Sequence, residues 1–166
     1  MLKADLLRAA IVAHQPWFVQ NPDRLEVYVT SGKVIAGGTA SASYSYSYEL
    51  NVLAMDYPYD LDSLTMPVLG WARRHQPVLL LNPELRKEGI SFDAELLNND
   101  TADILFVIKA SEMVIVNFDE NGKPQAKHRD EPLHEDMFPP NETWSLLFVN
   151  DNTGEQQPLS EGGVNG

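Results

Sequence analysis

Cysteine is absent from all 166 residues, which removes disulfides, thiolate metal sites and cysteine nucleophiles together. Basic residues are scarce: 12 Lys and Arg stand against 24 Asp and Glu, for a net charge of −12. A surface of that sign repels phosphate backbones, so no nucleic-acid readout is expected. One short basic cluster stands out, Arg73, Arg74 and His75. No apolar run approaches the ~20 residues that cross a bilayer, so no membrane partner is expected either. Residues 1–13 are amphipathic and carry Asp5, without the long apolar block and small-residue cleavage site of a signal peptide. The expectation is a chain made and kept in the cytoplasm.

Catalytic patterns are missing too. The sequence has no Gly-rich phosphate loop, no His pair at helical spacing and no Gly-x-Ser-x-Gly elbow. His128, Asp130, His134 and Asp136 are metal-capable types, but their spacing matches no established site and favours solvated side chains. Asn98-Asn99-Asp100 reads as a turn sooner than a calcium loop, which needs more acids at fixed offsets. Asp56, Asp60 and Asp62 lack an apolar wall that would set one carboxyl apart for acid–base work, and capping a helix explains Asp60 or Asp62 more simply. The reading is therefore of a protein without a cofactor, a metal or catalysis.

What is present is a clear pattern of hydrophobic periods. The 43% hydrophobic content and the length fit one domain able to bury roughly 70% of its unfolded surface. From Lys3 to His14 apolar residues recur at helical spacing until Pro16 stops them. Leu25 to Ala36 alternates as a strand, broken at Ser31-Gly32 by a turn or bulge. The strongest signal is residues 40–54, where Ala42, Tyr44, Tyr46, Tyr48, Leu50, Val52 and Ala54 share one parity and Ser41, Ser43, Ser45, Ser47, Glu49 and Asn51 the other. That is a long half-buried strand. Its tyrosine stripe, Tyr44, Tyr46 and Tyr48, suits core packing or a subunit interface. A helix follows from Asp60 or Asp62, with Pro67 in its first part, and ends in Arg73, Arg74 and His75. There the helix dipole favours positive charge, and a partner's acidic surface is the other use for them.

Residues 82–89 read as a loop or single helical turn stopped by Gly89. Strands are expected at 90–97, 102–110 and 112–118, with Ser111 between the last two. Asn121-Gly122 signals a hairpin returning into 123–127. Beyond 127 the character changes. Residues 128–149 form an acidic, Pro-containing arm that ends in one strand, Trp144 to Val149, whose Trp144, Leu146 and Phe148 alternate on one face. Residues 150–166 are polar, acidic and Gly-rich, an expected mobile tail. The expected fold is α+β: two main helices on a mostly antiparallel sheet over residues 1–127, with the arm able to add to a neighbour's sheet edge.

Several segments in order resemble the tail completion protein R family of P2-type contractile phages. They are residues 1–10, Met-Leu-Lys-Ala-Asp-Leu-Leu-Arg-Ala-Ala; residues 25–36, Leu-Glu-Val-Tyr-Val-Thr-Ser-Gly-Lys-Val-Ile-Ala; residues 48–56, Tyr-Glu-Leu-Asn-Val-Leu-Ala-Met-Asp; residues 66–77, Met-Pro-Val-Leu-Gly-Trp-Ala-Arg-Arg-His-Gln-Pro; and residues 90–104 with their Asn-Asn-Asp turn. The likeness runs over about 1–120 and weakens after 123. It implies a structural tail terminator in the virion: a ring homo-oligomer, commonly a hexamer, on the head-proximal end of tail tube and sheath, meeting neck and head-completion proteins. Another assembly role, as a neck or connector subunit or a transient tail chaperone, stays open beside it. Tyr44, Tyr46, Tyr48, Arg73, Arg74, His75, Trp144, Leu146 and Phe148 are the candidate interface residues.

Overall fold

The computed structural model describes residues 1–98 and 100–138 in full and the backbone of residues 144–149 and 156–162. The chain begins with α1 (Leu2–His14), a short α2 (Trp17–Gln20) and a 3₁₀ turn (Pro22–Arg24). Two long antiparallel strands follow, β1 (Leu25–Ala36) and β2 (Tyr44–Tyr57), then the second main helix, α3 (Asp62–His75). Two single-turn helices, α4 (Val78–Leu81) and α5 (Pro83–Glu88), lead into β3 (Ile90–Leu96), β4 (Ala102–Phe118) and β5 (Pro124–Arg129). The strands lie in the order β1-β2-β4-β3, all antiparallel, with β5 continuing the β3 side of β4. This is the α+β architecture the periodicity predicts.

Register explains the alternation. Val27, Val52, Phe106 and Phe92 lie opposite one another in one row across four strands. The parity holding Tyr48, Leu50, Val52 and Ala54 is the buried one, and Ile104, Phe106, Ile108 and Ala110 share it from β4. Leu7 and Ile11 of α1 and Leu64, Val68, Trp71 and Ala72 of α3 complete that core. Burying each large side chain contributes roughly 1.5–3 kcal/mol, so this one face carries most of the fold. The opposite parity, with Ser47, Glu49 and Lys109 exposed, forms the other face, where Lys109 pairs with Glu88 of α5 at 3.3 Å.

Several details differ from the periodic reading. β4 is a single strand through Ser111, because β2 pairs with both of its halves while β3 takes residues 102–108 and β5 residues 113–118. α3 starts at Asp62 and includes Pro67, and no side chain caps it: Asp60 supplies its main-chain carbonyl to the Ser63 N–H at 3.1 Å and hydroxyl at 2.6 Å. The break in β1 is a bulge between Val29 and Gly32. Pairing continues past it, with Gly32, Val34 and Ala36 on the helix side.

At the C-terminal end β6 (Trp144–Val149) pairs antiparallel with β7 (Gln156–Gly162) in a separate two-stranded sheet, and β7 runs beside α3 and α1. The final strand thus has a partner from the segment read as a tail. The side chains of Trp144, Leu146 and Phe148 lie outside the described residues.

Candidate functional site

α1 opens on Met1, which has no side-chain oxygen to cap a helix. The cap comes from 110 residues away. The Glu112 carboxylate on β4 accepts the N–H of Lys3 at 2.8 Å and of Leu2 at 3.3 Å. These are orphan donors of the first turn, and a negative charge there is favoured by the helix dipole. The same carboxylate accepts the Tyr48 hydroxyl at 2.9 Å and meets His128 Nδ1. Glu112 is fully buried, and four donors compensate it, as a buried charge requires.

Lys3 is fully buried beside it. Its ammonium donates to Gln76 Oε1 at 2.7 Å and pairs with Glu131 at 3.2 Å. Gln76 in turn donates to Ser111 Oγ at 3.0 Å and accepts the Ser111 N–H at 3.3 Å, while the Trp71 indole donates to the Lys3 carbonyl at 3.1 Å. Around the rim, His75 Nδ1 meets Asp130 at 2.8 Å, and Arg74 donates to the Glu131 carbonyl at 2.8 Å and lies 3.5 Å from Asp130. One polar cluster therefore ties the start of α1, the end of α3, the middle of β4 and the end of β5.

The electrostatics follow from burial and pairing. Burial alone would raise Glu112, but the Lys3 N–H, the Tyr48 hydroxyl and His128 hold it below the usual carboxylate range. Burial lowers Lys3, only partly opposed by Glu131, Asp130 and Glu112. Burial also lowers His75 despite Asp130. Tyr48 is pushed up by burial and by its bond to the Glu112 carboxylate. Each of these groups already has its partners inside the chain, and what the arrangement does chemically is to tether.

The candidate residues fall in three places. Tyr48 belongs to the buried cluster. Tyr44 and Tyr46 are half-buried on the same strand face, edge to face at 5.3 Å, with Tyr46 stacked on His128 at 6.4 Å. Arg74 and His75 bind Asp130 and Glu131 of their own chain, and Arg73 is half-buried in the same helical turn. His128 and Asp130 point to different partners, Glu112 and His75, and among the described residues no three His, Asp or Glu are grouped to hold a metal. Sequence reasoning missed Lys3, Gln76 and Glu112. Glu112 had left a signal, an acid with core parity in the apolar run 102–118.

A cleft of about 550 Å³ opens above Gly32, Tyr48 and Ala110, walled by Val78, Leu79 and Leu85. Among the described residues the sheet ends at β1 on one side and at β3 and β5 on the other.

The family described as P2 phage tail completion protein R matches residues 1–132. The curated protein named Tail completion protein R, from Escherichia phage P2, is 34% identical over 132 residues, which cover 80% of this chain and 84% of that relative. No solved structure matches the chain. The matched span ends just past Asp130 and Glu131, so it contains the sheet, α1, α3 and the whole polar cluster.

Proposed function

The chain belongs to the P2 phage tail completion protein R family, and from that premise we propose that it is the terminator ring of a contractile tail. Its structural role in completing a phage tail is that of the family. In the finer reading, six copies close into a ring on the head-proximal end of tail tube and sheath and offer the other face to the neck and head-completion proteins. The subunit is made in the host cytoplasm and ends in the virion.

The physics of such a part is that of a stopper. Tube and sheath grow by head-to-tail contacts that leave an open end. A cap matches that end and presents a different surface outward, so no further subunit adds. Each copy contributes a modest patch, and a closed ring multiplies weak contacts through effective concentration. The net charge of −12 keeps the free subunit soluble until the docking surface exists. Contacts, not catalysis, do this work.

The family relationship over residues 1–132 carries the reading. The test is a phage lacking this gene product, with its tails imaged by negative stain, and purified protein added back. Tails of uncontrolled length or tails unable to join heads, restored by the added protein, are expected. Normal-length tails joined to heads in its absence overturn the reading.

A further inference from the structure

We infer that neighbouring copies join by strand addition, the upper half of β1 (residues 31–36) in one copy pairing antiparallel with β3 of the next. The inference rests on the ring reading above and supplies its contact.

β1 and β3 are at opposite ends of the strand order, and among the described residues each has one partner strand. Their outer main-chain groups are a template for another strand. Both edges also expose large apolar side chains on the face that carries the helices: Val34 at 68% on β1, Phe92 at 52% and Leu96 at 82% on β3. These lie beyond the reach of α1 and α3, so the single subunit leaves them unburied.

Charge then selects the partner. On the face opposite α1 and α3 the same edges carry Lys33 on β1 and Asp93 and Glu95 on β3, all exposed. None of the three takes part in an ion pair among the described residues. Antiparallel addition with Val34 opposite Phe92 sets Lys33 opposite Asp93. Slipped by two residues, Val34 meets Ala94 and Lys33 meets Glu95. The first register matches apolar to apolar on one face and opposite charges on the other, the pairs that stabilise a sheet; the second keeps the charge pair but sets Ile35, 55% exposed, against Asp93.

The other edge pairings fail on the same criterion. The upper half of β1 against itself sets Lys33 against a second Lys33 or against an apolar or neutral residue and never against a carboxylate, and β3 against β3 brings carboxylates together. β5, the other edge beside β4 among the described residues, carries Lys127 and Arg129 on the same face as Lys33 and repels it. The favoured contact uses two different strands, so it is heterologous. It propagates from copy to copy until it closes, as a ring needs and a two-fold dimer does not.

The absence of native cysteine gives a clean test. Phage are produced with Lys33→Cys combined in one chain with Ser91→Cys, Asp93→Cys or Glu95→Cys. Purified, mildly oxidised particles are run on non-reducing gels, with Lys33→Cys alone and Glu26→Cys plus Asp93→Cys as controls. Circular dichroism and tail images establish that each variant folds and assembles. The expected result is a covalent ladder up to the ring's full copy number with Asp93→Cys or Glu95→Cys, and monomer in both controls; a ladder from Ser91→Cys and from neither of the others overturns the charge-matched pairing. Lys33→Glu is expected to abolish assembly, and Asp93→Lys with Glu95→Lys to restore it. Assembled particles that image with an intact ring of this subunit but give no ladder overturn the strand contact and leave the ring reading standing. A dimer from Lys33→Cys alone overturns it in favour of a two-fold contact. Wild-type particles in which the subunit forms no ring overturn the ring reading itself, and the strand contact with it.

Discussion

At Glu112 one carboxylate closes a helix, accepts a tyrosine hydroxyl and meets a histidine at once. Replacing it with alanine leaves two helix N–H groups and the Tyr48 hydroxyl buried without an acceptor. Each such orphan costs roughly 1–3 kcal/mol, so Glu112→Ala is expected to lose about 3–5 kcal/mol in urea unfolding. Glu112→Gln keeps an acceptor oxygen and is expected to lose less. The same residue sets an acid limit. Its carboxyl titrates below the ordinary range in the fold and near ~4.3 when unfolded, so its contribution is whole above ~4.3 and disappears as pH falls through the depressed value. His75 acts earlier. Burial holds it below its unfolded value of ~6.5, so the fold loses stability as pH drops from ~6.5 toward that lowered value. Melting temperature followed from pH 8 to pH 3 is expected to fall in two stages, and His75→Gln to remove the upper one. A curve that His75→Gln leaves unchanged counts against this assignment.

Helix ends and strand lengths show where local chemistry decides and where distant partners do. Gly89 reads in the sequence as the stop of a single helical turn. Its φ is −74°, an ordinary value, and space is the true constraint: a Cβ there falls 2.6 Å from Leu79 Cδ2 and 2.6 Å from the Leu85 carbonyl oxygen. Gly89→Ala is therefore expected to cost about 1–3 kcal/mol by overpacking. Gly38→Ala, with nothing within 4 Å, is expected to stay within about 0.5 kcal/mol in the same urea titration. What was legible was local or periodic: the long tyrosine strand, the hairpin at Asn121-Gly122 with Gly122 at φ +75°, and the basic last turn of α3. What was not legible depends on partners far along the chain. Nothing in residues 102–118 says that β2 bridges Ser111 into one strand, and nothing near Met1 says that the cap of α1 lies on β4. The candidate site divides the same way. Arg74 and His75 are visible as a cluster, but their partner Asp130, 55 residues from His75, reads in the sequence as part of an acidic arm. The tyrosines were visible as a stripe, and only tertiary packing separates buried Tyr48 from half-buried Tyr44 and Tyr46.

For the whole molecule, residues 128–138 share contacts with residues 1–127. The change in composition suggests a cut at 128, yet His128, Asp130 and Glu131 close the polar cluster, and Met137 and Phe138 are buried. A chain ending at Lys127 leaves Lys3 paired only with Gln76, His75 without its carboxylate and Glu112 without His128. Removing one partner from a buried charge costs about 3–5 kcal/mol, comparable to much of the ~5–15 kcal/mol that holds a domain. A chain ending at Phe138 keeps every one of these contacts and both sheet edges. In paired urea titrations the Lys127 truncation is expected to unfold at far lower denaturant than the Phe138 truncation. Light scattering then separates fold from assembly: if the ring closes through β1 and β3, the Phe138 truncation retains the assembly competence of the full chain. If instead it stays folded while losing that competence, residues 139–166 join the copies and the sheet edges do not.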